Sequence, residues 1–158
     1  MKSMRLVSTI VLAAMWLGGF SACTSVLVNS PVSKSGEGWA LTLNQLKDGP
    51  NEYVSLQEAV SVNPGTGENL MWADLTVRND NAQEPTFEYD KCVLEAKDVL
   101  RQPLVVDRKA DMPSAADRAE SFDPGQQRTR LLIYSFPKDQ RPTRLRCNKI
   151  SLPVPAAR

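Results

Sequence analysis

Glu68-Asn69-Leu70-Met71-Trp72-Ala73-Asp74-Leu75-Thr76-Val77-Arg78-Asn79 is the stretch on which the fold turns. Side chains alternate between the two faces of an extended chain. One face would carry Met71, Ala73, Leu75 and Val77, all apolar. The other would carry Leu70, Trp72, Asp74 and Thr76, which are mixed. That pattern predicts a long strand with its first face in a core. Asn63-Pro64-Gly65-Thr66-Gly67 before it and Asp80-Asn81-Ala82-Gln83 after it are turn sequences.

Working outward, Trp39, Leu41 and Leu43 alternate with Ala40, Thr42 and Asn44, which suits a half-buried strand. Lys47 to Asn51 is a turn cluster, and Tyr53 to Val62 suits a weak strand, irregular chain or a helix equally well. Pro85 to Lys91, Cys92 to Ala96 and Pro103 to Asp107 are strand-like, with Asp98 to Gln102 connecting two of them. Within the 109–127 loop, residues 113–120 accommodate one or two helical turns with Ser114 as cap. Asp123-Pro124-Gly125 is a strong turn. Arg128 to Phe136 reads as a strand ended by Pro137, and Thr143 to Leu152 as the last strand. Short strands separated by turns, with almost no helical period, predict an all-β sandwich over residues 39–152.

The flanks differ in character. Lys2 and Arg5 form a basic segment, Leu6 to Phe20 is apolar and uncharged, and Phe20-Ser21-Ala22-Cys23 closes it with small residues before the cysteine. The apolar run is shorter than the roughly 20 residues a membrane span needs. The four closing residues resemble the lipobox of bacterial lipoproteins, with Phe20 where leucine is usual. The resemblance implies a signal peptide over residues 1–22, removed as Cys23 receives a diacylglyceryl group, and often acylation of the new amino terminus as well. Thr24 stands where an aspartate commonly retains Gram-negative lipoproteins in the inner membrane. In a Gram-negative source its identity favours the outer membrane, facing the periplasm. Residues 23–38, small and polar, read as a flexible tether, and residues 153–158 as a disordered tail.

The chain has 3 cysteines. Lipidation of Cys23 accounts for the odd one and leaves Cys92 and Cys147 to form a disulfide in an exported protein. The chain has no histidine, which removes the commonest general base and the commonest metal ligand. Asp107, Asp111, Asp117, Glu120 and Asp123 fit no calcium-loop spacing and are interrupted by Arg108, Lys109 and Arg118. No catalytic residue, metal or cofactor is expected.

The run Leu75 to Asn79, the Phe87-Glu88-Tyr89-Asp90-Lys91-Cys92 segment, and the Phe122-Asp123-Pro124-Gly125-Gln126 turn leading to Tyr134-Ser135-Phe136-Pro137 form a further pattern. With Leu145 and Cys147 in the last strand, it resembles the immunoglobulin-like, telokin-like domains of unknown function in exported bacterial proteins. The resemblance implies an immunoglobulin-like sandwich and carries no activity.

Loss of residues 1–22 from the 158 leaves 136, enough for one domain. Lys2 and Arg5 leave with the signal, so the 19 basic residues fall to 17 against 18 acidic, a net charge of −1. That balance gives no reason to expect nucleic acid as a partner. After Gly125, however, 8 basic residues face only Asp139. Arg128, Arg130, Arg144 and Arg146 stand at strand spacing. If their two strands are neighbours, as in immunoglobulin sheets, the four make one outward basic face for an anionic envelope component. Trp72, beside Asp74 and Thr76, is the aromatic residue placed to serve as a ligand platform. The expected function is a non-enzymatic envelope lipoprotein whose domain is a binding or structural module. The alternative is an inhibitor or assembly factor that reaches an envelope enzyme through the 109–127 loop.

Overall fold

A computed structural model describes residues 25–55, 59–108 and 118–156 of the chain. Fourteen strands occur among them: β1 (Val26–Val28), β2 (Val32–Gly36), β3 (Trp39–Asp48), β4 (Tyr53–Ser55), β5 (Val60–Val62), β6 (Glu68–Asn79), β7 (Thr86–Glu88), β8 (Cys92–Ala96), β9 (Val99–Arg101), β10 (Val105–Arg108), β11 (Ala119–Ser121), β12 (Gln127–Pro137), β13 (Arg144–Cys147) and β14 (Ile150–Pro153). A 3-10 turn, Tyr89–Lys91, joins β7 to β8.

The fold is a β-sandwich. The larger sheet has the order β1-β3-β6-β12-β10, with β2 also paired to β3, and the smaller has the order β14-β13-β8-β9. Every pairing is antiparallel. As expected, Met71, Ala73, Leu75 and Val77 of β6 enter the core. They meet Leu41, Leu43 and Leu46 of β3, Leu132, Tyr134 and Phe136 of β12, and Leu94, Leu145 and Leu152 of the smaller sheet. The β7–β11 ribbon supplies Phe87, which with nearby Phe122 packs edge-on against Trp39, and Tyr89 packs edge-on against Phe87. A β4–β5 ribbon provides a second, smaller cluster: Tyr53 and Val62 pack with Leu70, Trp72, Val105, Leu131 and Ile133 on the outer side of the larger sheet.

Cys92 and Cys147 form a disulfide, as expected. They stand directly opposite each other on β8 and β13, so the bond lies within the smaller sheet, with both cysteines buried in the core. It closes a separation of 55 residues, which on the chain-entropy account stabilises the folded state by about 4 kcal/mol.

Several boundaries differ from the sequence reading. Most of the tether expected over residues 23–38 is folded, since β1 and β2 both pair with β3 and Val28 is in the core. The β2–β3 hairpin closes on Glu37 and Gly38, with φ of 51° and 78°, the left-handed pair that a tight two-residue hairpin requires. The expected last strand is a hairpin, β13 and β14, turning at Asn148 with φ 54°; asparagine tolerates that region. The expected tail starts late as well: Pro153 belongs to β14, and Val154 is buried and donates its N–H to the Thr143 carbonyl at 2.8 Å. The expected connection at 98–102 holds β9. Of the expected helical turns at 113–120, residues 113–117 lie outside the described residues, and Ala119–Ser121 is a strand paired with β7.

Candidate functional site

The four arginines do not share a face. β12 pairs with β6 and β10, whereas β13 pairs with β8 and β14, so the two strands lie in opposite sheets. The neighbouring of these strands, taken from immunoglobulin sheets, is therefore corrected. The phase of β12 is also reversed. Arg128 and Arg130 share the side of Leu132, Tyr134 and Phe136, which is the core side. Thr129, Leu131 and Ile133 face the other way, where the β4–β5 ribbon covers part of the sheet. Both sides of β12 therefore bury apolar residues, and alternation alone could not tell them apart.

Each arginine pair instead surrounds a buried glutamate. Arg130 is 1% exposed and bonds Glu120 Oε1 through Nε at 3.1 Å and Nη2 at 2.6 Å. Tyr89 donates its hydroxyl to Glu120 Oε2 at 3.0 Å, and Arg128 lies 3.7 Å from the same oxygen and 4.8 Å over the Phe122 ring. Burial first, and then the Glu120 charge, push the Tyr89 hydroxyl far above the ordinary phenol range. These contacts make the group an internal tie between β11, β12 and the Tyr89 turn. Its ionised members are compensated within the protein interior.

The second pair is different. Arg144 and Arg146 project from the outer side of the smaller sheet onto Glu95, with Arg146 Nε at 2.5 Å from Oε1 and Arg144 Nε on Oε2. The Glu95 side chain is 3% exposed, while those of Arg144 and Arg146 are 57% and 41% exposed. Burial acts to raise the Glu95 carboxyl, but the hydrogen bonds from the two guanidiniums outweigh it and hold the group below its usual range. One carboxylate shared by two guanidiniums leaves one net positive charge. Arginine's fork of donors lets each guanidinium hold the internal carboxylate and still offer N–H groups outward. Leu100, 61% exposed, sits opposite Glu95 on β9.

Trp72 is partly buried, with neighbours against its ring. Tyr53 meets it edge-on at 5.1 Å between centroids, and Lys47 Nζ lies 5.4 Å over the ring. Gly49 is so close that a Cβ there would stand 1.9 Å from Trp72 Nε1. Gln45, Lys47, Trp72, Asp74 and Leu131 line a depression of about 200 Å³, below the size of ordinary ligand pockets. Beside it, Asn44 donates to Asp74 at 2.9 Å and to Thr76 at 2.8 Å, and Thr76 meets Thr129 at 2.8 Å. Asn44, Asp74, Thr76 and Thr129 on the face expected around Trp72 are thus hydrogen-bonded to one another, whereas the Trp72 Nε1–H is buried without a hydrogen-bond partner among the described residues.

The acidic stretch is divided. Asp107 is buried and accepts the Tyr53 hydroxyl at 2.7 Å, Glu120 belongs to the arginine tie, and Asp123 is exposed in its turn. Asp111 and Asp117 lie outside the described residues. The 109–127 loop is shorter than its range implies, since Ala119–Ser121 is a strand and Phe122 is in the core; residues 109–117 lie outside the described residues. Among the described residues, no group of three or more His, Cys, Asp or Glu is placed to hold a metal.

A cluster not expected from sequence joins the two sheets: Ser135 donates to Glu68, and Arg101 of β9 bonds Glu68 Oε1 at 2.6 Å. The Ser135 hydrogen bond, and then that of Arg101, hold the Glu68 carboxyl below its usual range. Cys23 lies outside the described residues.

No family model matches the chain, and no curated protein is detectably similar to it. Among solved structures it is similar to a functionally unknown protein from Listeria monocytogenes EGD-e, at 17% identity and a TM-score of 0.47, covering 73% of this chain and 68% of that one.

Proposed function

We propose that this protein is a bacterial envelope lipoprotein, lipidated at Cys23, whose β-sandwich is a non-enzymatic binding or structural module. The reading rests above all on Phe20-Ser21-Ala22-Cys23, which ends an uncharged apolar run preceded by Lys2 and Arg5. The Cys92–Cys147 disulfide supports it, because such bonds persist in oxidising, exported compartments. In a Gram-negative envelope the residue after the cysteine, Thr24, favours the periplasmic face of the outer membrane. The surface we assign to an anionic envelope component is the exposed Arg144 and Arg146 pair alone. Arg128 and Arg130 are committed to Glu120.

Fractionation tests the proposal. The parent protein is expected in the membrane fraction and a Cys23→Ser variant in the soluble or uncleaved pool. A Cys23→Ser protein that is processed and membrane-bound like the parent would overturn it.

A further inference from the structure

Both long strands next to the centre of the larger sheet set a clear axis. β3 and β12 run toward one end, where Asp48 pairs opposite Met71 and Pro137 opposite Glu68. β6 runs away from that end to the other, where Asn79 stands opposite Trp39 and Arg78 opposite Gln127. β1 begins at the first end: Val26 pairs with Lys47, and the Ser25 carbonyl accepts the Asp48 N–H at 2.9 Å. Ser25 also donates its hydroxyl to the Asp48 carboxylate. The folded domain is thus already fixed at Ser25, not at Trp39.

The consequence depends on the lipidation proposed above. Only Thr24 separates Cys23 from Ser25. A fully extended chain gains at most about 3.6 Å per residue, so Ser25 stands within about 7 Å of the lipid-bearing residue. We infer that the domain is held directly against the bilayer by the end where β1 begins, with the Trp39–Asn79 end facing away. The lipid-facing surface is built from the turn after β6's partner β3 and from residues 138–142, tied to the 63–67 turn by the Lys138 N–H to the Gly67 carbonyl at 3.0 Å. Its exposed charges include Lys138, Asp139 and Arg141, and Arg141 is anchored there by donating to the Pro155 carbonyl at 2.9 Å. The headgroup region of the membrane is the partner that this mixed, polar surface fits. β6 has 12 residues, and at about 3.4 Å per residue the two ends are separated by about 40 Å. Any protein partner deeper in the periplasm would meet the far end or the two outer sheet faces, while the β1 end is occupied by lipid headgroups.

Distance-dependent quenching tests this with mature protein purified from membranes. A fluorophore is attached through Lys138→Cys at the near end or Glu84→Cys at the far end, both exposed positions. Each protein is placed in phosphatidylethanolamine–phosphatidylglycerol vesicles with nitroxide-labelled headgroups. The Lys138→Cys label should be quenched several-fold more than the Glu84→Cys label. A flexible 15-residue spacer inserted between Thr24 and Ser25 should remove most of that difference while leaving the protein on the vesicle. Equal quenching without the spacer would overturn the orientation even though the lipid is present. Intact-mass measurement on the same samples separates this from failure of the lipidation itself: protein lacking a lipid mass would overturn both.

Discussion

Tyr134 donates its hydroxyl to the Cys92 carbonyl at 2.9 Å, joining the centre of the larger sheet to the disulfide strand of the smaller one. Both residues are fully buried, so this hydrogen bond crosses the core away from water. Burial raises the Tyr134 hydroxyl well above the ordinary phenol range and keeps it a donor. Tyr134→Phe removes the donor and leaves a small gap beside a carbonyl. The expected loss is about 1–3 kcal/mol, read from urea unfolding. An unchanged midpoint would show that the bond adds nothing.

The Glu120 group should respond in a graded way. Glu120→Gln leaves Arg130 charged in the interior, and breaking one side of a buried pair costs about 3–5 kcal/mol. Arg128→Gln should cost about 1 kcal/mol or less, because Arg128 is partly exposed and Glu120 keeps Arg130. Equal losses for the two variants would contradict the assignment of Arg130 as the main partner.

Glu95 makes stability depend on acid. Its carboxyl is lower in the folded protein than its ordinary value of 4.5. The unfolded chain therefore binds the proton more readily, and the stabilisation is complete above about pH 4.5. It is lost as pH falls through the lower, folded value. Glu95→Gln should be less stable than the parent at neutral pH and show a shallower loss between pH 4.5 and the acid limit. Parallel pH profiles for the two proteins would remove Glu95 from this role.

The disulfide should be complete in protein isolated from cells without reduction. After denaturation without reduction, Cys92 and Cys147 should take no thiol label, and both should label after reduction. The paired Cys92→Ala, Cys147→Ala variant should lose about 4 kcal/mol on the chain-entropy account. Two labelled thiols before reduction would contradict the pairing.

The Arg144 and Arg146 surface carries a binding prediction. Replacing both by glutamine should weaken binding to anionic vesicles or peptidoglycan, with the parent's binding falling as salt rises. The Arg128→Gln variant should bind like the parent. Loss of binding in Arg128→Gln with none in the Arg144 and Arg146 pair would reverse the assignment.

β6 was legible in the sequence because its inner face is wholly apolar, and the cysteine pairing because, of three cysteines, one closes a segment that resembles a lipobox and two are left. β2 was not legible: Ser33, Lys34 and Ser35 are exposed on an edge-like strand, and polar residues there protect the edge while hiding its extended structure. Glu37-Gly38 is also a weaker hairpin signal than Asn-Gly. The phase of β12 was lost because the β4–β5 ribbon makes the second face apolar too. Glu120 and Arg130 read as solvated charges until the fold set them against each other, since pairing across 10 residues of sequence depends on how β11 returns to the core.

The central claim is tested most directly by the mass of the mature protein taken from membranes. The account predicts a chain that begins at Cys23, carries diacylglycerol on its thiol and lacks residues 1–22. A chain that retains its amino terminus, or one that carries an unmodified Cys23, would contradict it.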